Sequence, residues 1–146
     1  MLTTPHVLVG AAIGSQLPHA WQIVPLAAAS HFVLDSIPHI QGYIEVEDLE
    51  KKEALFLLAD AALAFGALFL LAKGLPNWEP IVLGGFSAVI PDFHHIYRVL
   101  FGPEKLSRYT KLHKKFHWKK NMPILPGMAT QILTIILAIF VIIKFI

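Results

Sequence analysis

Apolar residues along this chain gather into long runs that short polar breaks separate. The runs cover residues 7–16, 20–37, 54–72, 81–101 and 124–143. None of them alternates apolar and polar positions with a period of two, so the pattern predicts helices rather than strands. A helix needs about 18–20 apolar residues to cross a bilayer, which the last four runs supply and the first does not. The pattern predicts an all-α integral membrane bundle of about four spanning helices plus a short N-terminal helix.

The overall composition supports the same class of protein. Hydrophobic residues make up 55% of the chain and charged residues only 15%, and the mean hydropathy is +0.61. In a typical soluble domain about 25% of residues are charged. The 146 residues fit one domain, residues 1–146, and the absence of cysteine excludes disulfides and thiolate metal ligands.

Charged residues are unevenly distributed between the loops. Eight of the twelve Lys and Arg lie in residues 98–120, whereas acidic residues cluster in a connector at 43–53. The positive-inside rule therefore predicts that the loop 98–120 is cytoplasmic. Counting back through two spans places the connector 43–53 on the same side. Anionic lipid headgroups are the expected polyanionic partner of the basic loop, and no nucleic acid is expected.

The polar residues within or beside the apolar runs are mainly histidine and aspartate. His31, Asp35 and His39 follow i, i+4, i+8 spacing, which keeps three side chains near one helix face. Asp60 lies inside a run of Leu, Ala and Phe, and Asp92 follows a proline in the next run. An ionised carboxylate in an apolar helix requires a cation or a hydrogen-bond donor, so these acids predict either a site or a structural pairing.

With this topology, the acids and most of the histidines converge at the cytoplasmic ends of the helices. Imidazole and carboxylate together form the ligand set of zinc-like divalent metals. We therefore predict one to three divalent ions, with zinc the first candidate, and Asp60 and Asp92 as candidate catalytic groups. The predicted metal ligands are His6, His31, Asp35, His39, Asp60, Asp92, His113 and His117.

Several other residues allow more than one interpretation. The pair His113 and His117 lies on a basic amphipathic stretch, which by itself favours an interfacial helix. His94 and His95 are either ligands or headgroup contacts. Small residues near Gly10 and at 84–85 predict close helix packing. Basic residues that could hold a substrate phosphate are Arg108, Lys111, Lys114 and Lys115.

The order of these motifs resembles a group of small bacterial integral membrane proteins classed as metal-dependent hydrolases. The likeness rests on Thr-Pro-His6 with Gly10, His31-x-x-x-Asp35 with Pro-His39, Asp60, Ile-Pro-Asp92, and His113-x-x-x-His117. Similar ligand sets occur in the all-helical zinc-dependent phospholipase C and nuclease class. That class is not membrane-embedded and has an N-terminal Trp ligand, which this chain lacks.

This resemblance implies a multi-pass protein of the bacterial inner membrane that hydrolyses a phospholipid or another lipid phosphoester. Membrane lipid would be its partner. A bound metal would lower the pKa of water toward about 7, and a carboxylate would act as general base.

Two other functions remain open at this stage. The same residues could form a metal or proton site in a transport or sensing protein, which a closed ligand shell or polar residues continuing toward the far face would favour. A structural membrane protein with a bis-histidine haem is the third alternative, and it gives the acids no role.

Overall fold

The computed structural model describes residues 1–40, 50–76, 78–102, 104–120 and 122–144. Across these residues the chain is helical and contains no strand, which confirms the all-α prediction for this part of the chain. A 3₁₀ turn, Ile90–Asp92, separates the fourth and fifth α-helices. The α-helices are α1 (Thr3–Gln16), α2 (Ala20–Ser36), α3 (Lys51–Ala72), α4 (Trp78–Val89), α5 (Phe93–Phe101), α6 (Ser107–Phe116) and α7 (Ile124–Lys144).

Two of the described helices, α3 and α7, are long and apolar enough to cross a membrane. They contain 22 and 21 residues, and most of the residues in their apolar stretches are not buried inside the protein. Helix α2, with 17 residues, and helix α4, with 12 residues, are shorter. The structure thus shows apolar helices of spanning length, while the arrangement of four spans stays a prediction.

The structure adds detail to two of the predicted segments. The run 81–101 forms two α-helices because Pro91 has no N–H for the helix ladder and its ring crowds the preceding turn. The basic loop 98–120 contains a helix, α6. Most of the acidic connector 43–53 lies outside the described residues. At its end, the Glu53 side chain accepts a hydrogen bond from the backbone N–H of Glu50, 3.0 Å away, at the start of α3.

Small residues allow α1 and α4 to pack with their backbones in contact. A Cβ added at Gly10 would overlap the carbonyl oxygen of Gly84, and a Cβ at Gly84 would overlap the carbonyl oxygen of Gly10. A Cβ at Gly14 would likewise overlap the carbonyl of Pro80. The predicted close packing is confirmed, and it fixes the start of α1 relative to the end of α4.

The interior divides into an apolar body and a polar end. The apolar core contains Val7, Leu8 and Ala11 of α1 together with side chains of α3, α4 and α7. His6, in the first turn of α1, and Asp35, in the last turn of α2, are buried at the polar end. Buried ionisable groups therefore collect where α1 begins and α2 ends.

Replacing Gly10 with alanine should separate α1 from α4. We expect Gly10→Ala to lower the free energy of unfolding by about 1–3 kcal/mol, because the added methyl group meets backbone rather than a flexible side chain. The measurement is denaturant unfolding of the purified chain in detergent. Gly66→Ala is the matched control, since nothing lies within 4 Å of its added Cβ, and it should stabilise α3 by about 0.5–1 kcal/mol. Equal effects of the two substitutions would contradict the packing account.

Candidate metal centre

The carboxylate of Asp35 lies at the centre of a buried histidine cluster. Its side chain is 1% exposed. The Nε2 atoms of His31, His113 and His117 lie 3.1, 3.2 and 3.4 Å from its Oδ2 atom. The Nε2 atom of His6 lies 3.2 Å from its Oδ1 atom. Four imidazoles, from α1, α2 and the end of α6, thus converge on one carboxylate.

Asp92 brings a second carboxylate to this cluster. Its Oδ1 atom lies 3.3 Å from Nε2 of His31 and 3.7 Å from Nε2 of His113. The side chain of Asp92 is 39% exposed, whereas those of His31 and His113 are fully buried. The 3₁₀ turn at Pro91 places this acid at the edge of the cluster, so Asp92 is the carboxylate that a molecule outside the protein can reach.

Local packing and backbone hydrogen bonds fix the positions of these side chains. The i, i+4 spacing sets His31 one helical turn before Asp35. The rings of His6 and His31 stack with their centroids 4.0 Å apart. The backbone N–H of Trp118 donates to the carbonyl oxygen of Asp35 at 2.7 Å, which ties the end of α6 to α2. The amino group of Met1 also donates to the Asp35 carboxylate.

The hydrogen bond at the far side of His31 determines which of its nitrogens faces the acids. Its Nδ1 atom lies 2.9 Å from the carbonyl oxygen of Ala88, which can only accept, so Nδ1 carries the proton. In the neutral ring the lone pair of Nε2 then faces the oxygens of Asp35 and Asp92 at 3.1 and 3.3 Å. This arrangement is unfavourable unless a second proton or a metal cation lies between them. Histidine metal ligands are commonly oriented by such a backbone acceptor.

The separations between donor atoms fit a divalent metal ion. Two ligands at about 2.0–2.1 Å from a tetrahedral zinc ion lie about 3.3 Å apart. The five closest separations between an imidazole nitrogen and a carboxylate oxygen in the cluster span 3.1–3.4 Å. N–H···O hydrogen bonds are about 2.7–3.2 Å long, so these separations suit imidazole–carboxylate hydrogen bonds as well as pairs of metal ligands. Three overlapping sets have donor atoms within 4.8 Å of one another: His6, His31 and Asp35; His31, Asp92 and His113; Asp35, His113 and His117.

His117, which follows α6, offers a neutral ring to this centre. Burial lowers its pKa to about 3, because the protonated form loses its hydration. The ring is therefore uncharged at neutral pH and keeps a lone pair for a metal ion. Metal ligation requires this form of imidazole.

The structure brings six of the eight predicted ligands into this cluster and places His39 at its margin. The ring of His39 is fully buried, and its centroid lies 5.2 Å from that of His117. Its Nδ1 atom lies 2.7 Å from the carbonyl oxygen of Ile37. Among the described residues, His39 belongs to none of the sets of convergent donor atoms.

Asp60 lies outside these sets and binds the start of α1 instead. Its Oδ2 atom accepts the backbone N–H groups of Thr3 and Thr4 at 2.6 and 3.3 Å, and its Oδ1 atom accepts the Thr4 hydroxyl at 2.6 Å. Pro5 has no N–H to satisfy. A carboxylate is favourable at this end of a helix because it meets unpaired N–H groups and the positive end of the helix dipole. The contacts of Asp60 support a positioning residue for His6 rather than the predicted ligand or catalytic group.

The four basic residues predicted to hold a phosphate are exposed on α6. The buried face of this helix carries His113 and Thr110. The exposed face carries Arg108, Lys111, Lys114 and Lys115. Sequence reasoning missed the backbone groups of Ala88 and Trp118, which orient His31 and the end of α6, because a backbone carbonyl or N–H leaves no residue-specific signal.

Comparison with known proteins assigns this chain to no family. No family model matches the chain, and searches of curated proteins and of solved structures returned no match. The resemblance to small membrane metal-dependent hydrolases therefore stays a prediction, and the function rests on the geometry of the cluster.

Two matched substitutions test whether Asp35 acts as a metal ligand and Asp60 as a helix cap. Asp35→Asn should remove most bound zinc, because the carboxylate shared by four imidazoles is lost. Asp60→Asn should keep zinc bound but lower the free energy of unfolding by about 1 kcal/mol, as loss of a helix cap does. Metal analysis after dialysis and denaturant unfolding provide the two readouts. Loss of zinc from a folded Asp60→Asn variant would show that Asp60 is a ligand after all.

Proposed function

We propose that this chain is an integral membrane metal-dependent hydrolase that cleaves a phospholipid or another lipid phosphoester at the cytoplasmic face of the bacterial inner membrane. The observation that carries the proposal is the buried carboxylate of Asp35 among four imidazoles, with the partly exposed Asp92 at its edge. A catalytic metal ion keeps one coordination position open to water, and the edge of the cluster at Asp92 is where such a position would lie.

The residues of the cluster divide into ligands and an accessible acid. His6, His31, Asp35 and the two histidines of the α6 segment would hold a divalent ion, zinc first among the candidates. A bound zinc ion supplies water with a pKa near 7. Asp92 contacts His31 and is 39% exposed, so its carboxylate is placed to accept a proton from a molecule at the edge of the cluster.

The exposed surface of α3 and α7 supports a membrane location. Large apolar side chains such as Leu58, Leu70, Leu133 and Ile143 are exposed along these helices. Soluble proteins rarely expose apolar surface over whole helices, whereas lipid solvates it without cost. The basic exposed face of α6 would meet anionic headgroups at the same end as the metal centre.

An open apolar groove supports a lipid as substrate. It lies between α1, α2 and α7, has a volume of about 650 Å³, and is lined by Val9, Leu26, Leu34, Leu137 and Val141 among others. Leu34 directly precedes Asp35 in the chain, and Val9 lies one helical turn beyond His6. The groove would offer an acyl chain an apolar surface on the same helices that carry the cluster.

The buried residues of α1 and α3 argue against one alternative, transport across the membrane. A transport path needs polar groups that continue across the membrane. In α1 the buried residues beyond His6 are Val7, Leu8, glycines and alanines. In α3 the buried residues beyond Asp60 are Ala64, Leu68 and Ala72. Within the described part of the chain, the buried ionisable groups end at one face, which suits a one-sided reaction site.

Hydrolysis is tested by turnover of phospholipid in vesicles that contain anionic lipid and into which the chain has been reconstituted. Chelation should abolish release of the phosphoester product and zinc should restore it. Asp92→Asn should lower kcat per bound metal by about 100-fold or more, because a general acid–base group typically contributes that much. Glu79→Gln, an exposed acid-to-amide change at the start of α4, is the control and should leave turnover unchanged. Turnover that survives complete metal removal would refute the proposal.

A further inference from the structure

A second group of histidines lies against the Asp35 cluster, and two of its members, His94 and His95, play no part in the function proposed above. One ligand atom each from His94, His95 and His113 lies within 4.8 Å of the others. The ring centroid of His94 lies 3.9 Å from that of His95 and 4.8 Å from that of His113. His113 is thus shared between this group and the cluster around Asp35.

The hydrogen bond of His94 leaves one ring nitrogen without a partner. Its Nδ1 atom lies 2.8 Å from the carbonyl oxygen of Pro91, which can only accept, so Nδ1 carries the proton of the neutral ring. Its Nε2 atom is buried, and no hydrogen-bond partner is found for it among the described residues. The residue is only 4% exposed. A buried acceptor without a donor is destabilising, and a bound cation would remove this cost.

The surroundings hold His94 in this orientation. The Tyr109 hydroxyl donates to the same Pro91 carbonyl at 3.1 Å, and the Tyr109 ring packs edge-on against His94 with centroids 5.1 Å apart. The orientation repeats that of His31, whose Nδ1 atom bonds a backbone carbonyl while Nε2 faces the cluster. Both rings are therefore set to offer Nε2 as a ligand.

We propose that His94, His95 and His113 bind a second divalent cation beside the one held around Asp35, so that the centre is dinuclear. This inference rests on the proposed function, because it presumes the first ion. An imidazole has two ring nitrogens, and His113 can bind both ions only as an imidazolate, with one ring nitrogen on each ion and the proton of the neutral ring released to solvent. Three histidines without a carboxylate select a zinc-like transition metal over Mg²⁺ or Ca²⁺. In two-metal enzymes, paired ions stabilise the attacking and leaving oxygens of a phosphoester.

The test is the metal stoichiometry of the full chain in detergent, after equilibrium dialysis against Co²⁺ or Zn²⁺. The wild type should bind about two ions per chain, as a two-metal site requires. His94→Ala should bind about half as much metal and lose part of the visible absorption of the cobalt form. His19→Ala is the control, because His19 is an exposed histidine outside α1 and α2, and it should bind as the wild type does.

The number of bound ions distinguishes failure of the second metal site from failure of the proposed function. A wild type that binds one ion, with His94→Ala binding the same amount, would overturn the second site and leave the first intact. A wild type that binds no ion would overturn both. If His94→Ala does not fold, as judged by circular dichroism, His95→Asn takes its place, because this ring is less buried. Unchanged metal content in folded His95→Asn would also overturn the second site.

Discussion

The structure depends on one constraint, which is the burial of the Asp35 carboxylate at the end of an apolar bundle. An ionised carboxylate in such a place is expensive unless cations and donors surround it. α1, α2 and the α6 segment each bring an imidazole to this group, and the turn after α4 brings Asp92. The glycine contact of α1 with α4, and the capping of α1 by Asp60, hold the helices at the spacing that this convergence requires.

The orientation of His31 defines what the cluster requires. This ring donates through Nδ1 to a backbone carbonyl, so its other nitrogen faces two carboxylates and needs a second proton or a metal cation between them. A single divalent ion binds neutral rings and carboxylates together, and separations of 3.1–3.4 Å suit its coordination sphere.

Much of this site could be predicted from sequence, because its main signals are local. The i, i+4 spacing of His31 and Asp35 and the Pro91-Asp92 break need no tertiary information, and a common helix end brings them together. Asp60 shows the limit of such reasoning: an acid in an apolar helix gives the same signal whether it binds a metal or caps another helix. Its partners, the N–H groups at the start of α1, become visible only in three dimensions. The histidine pair at 94–95 stayed ambiguous for the same reason, because its orientation depends on a backbone carbonyl.

X-ray absorption spectroscopy at the zinc edge of the zinc-loaded chain tests the central claim most directly. The account predicts nitrogen and oxygen neighbours at about 2.0–2.1 Å, with the outer-shell pattern of several imidazole rings. It also predicts that this pattern disappears in the Asp35→Asn variant. A spectrum of loosely held, oxygen-only zinc that is the same in both proteins would contradict it, and the histidines would then be a hydrogen-bonded cluster without a metal.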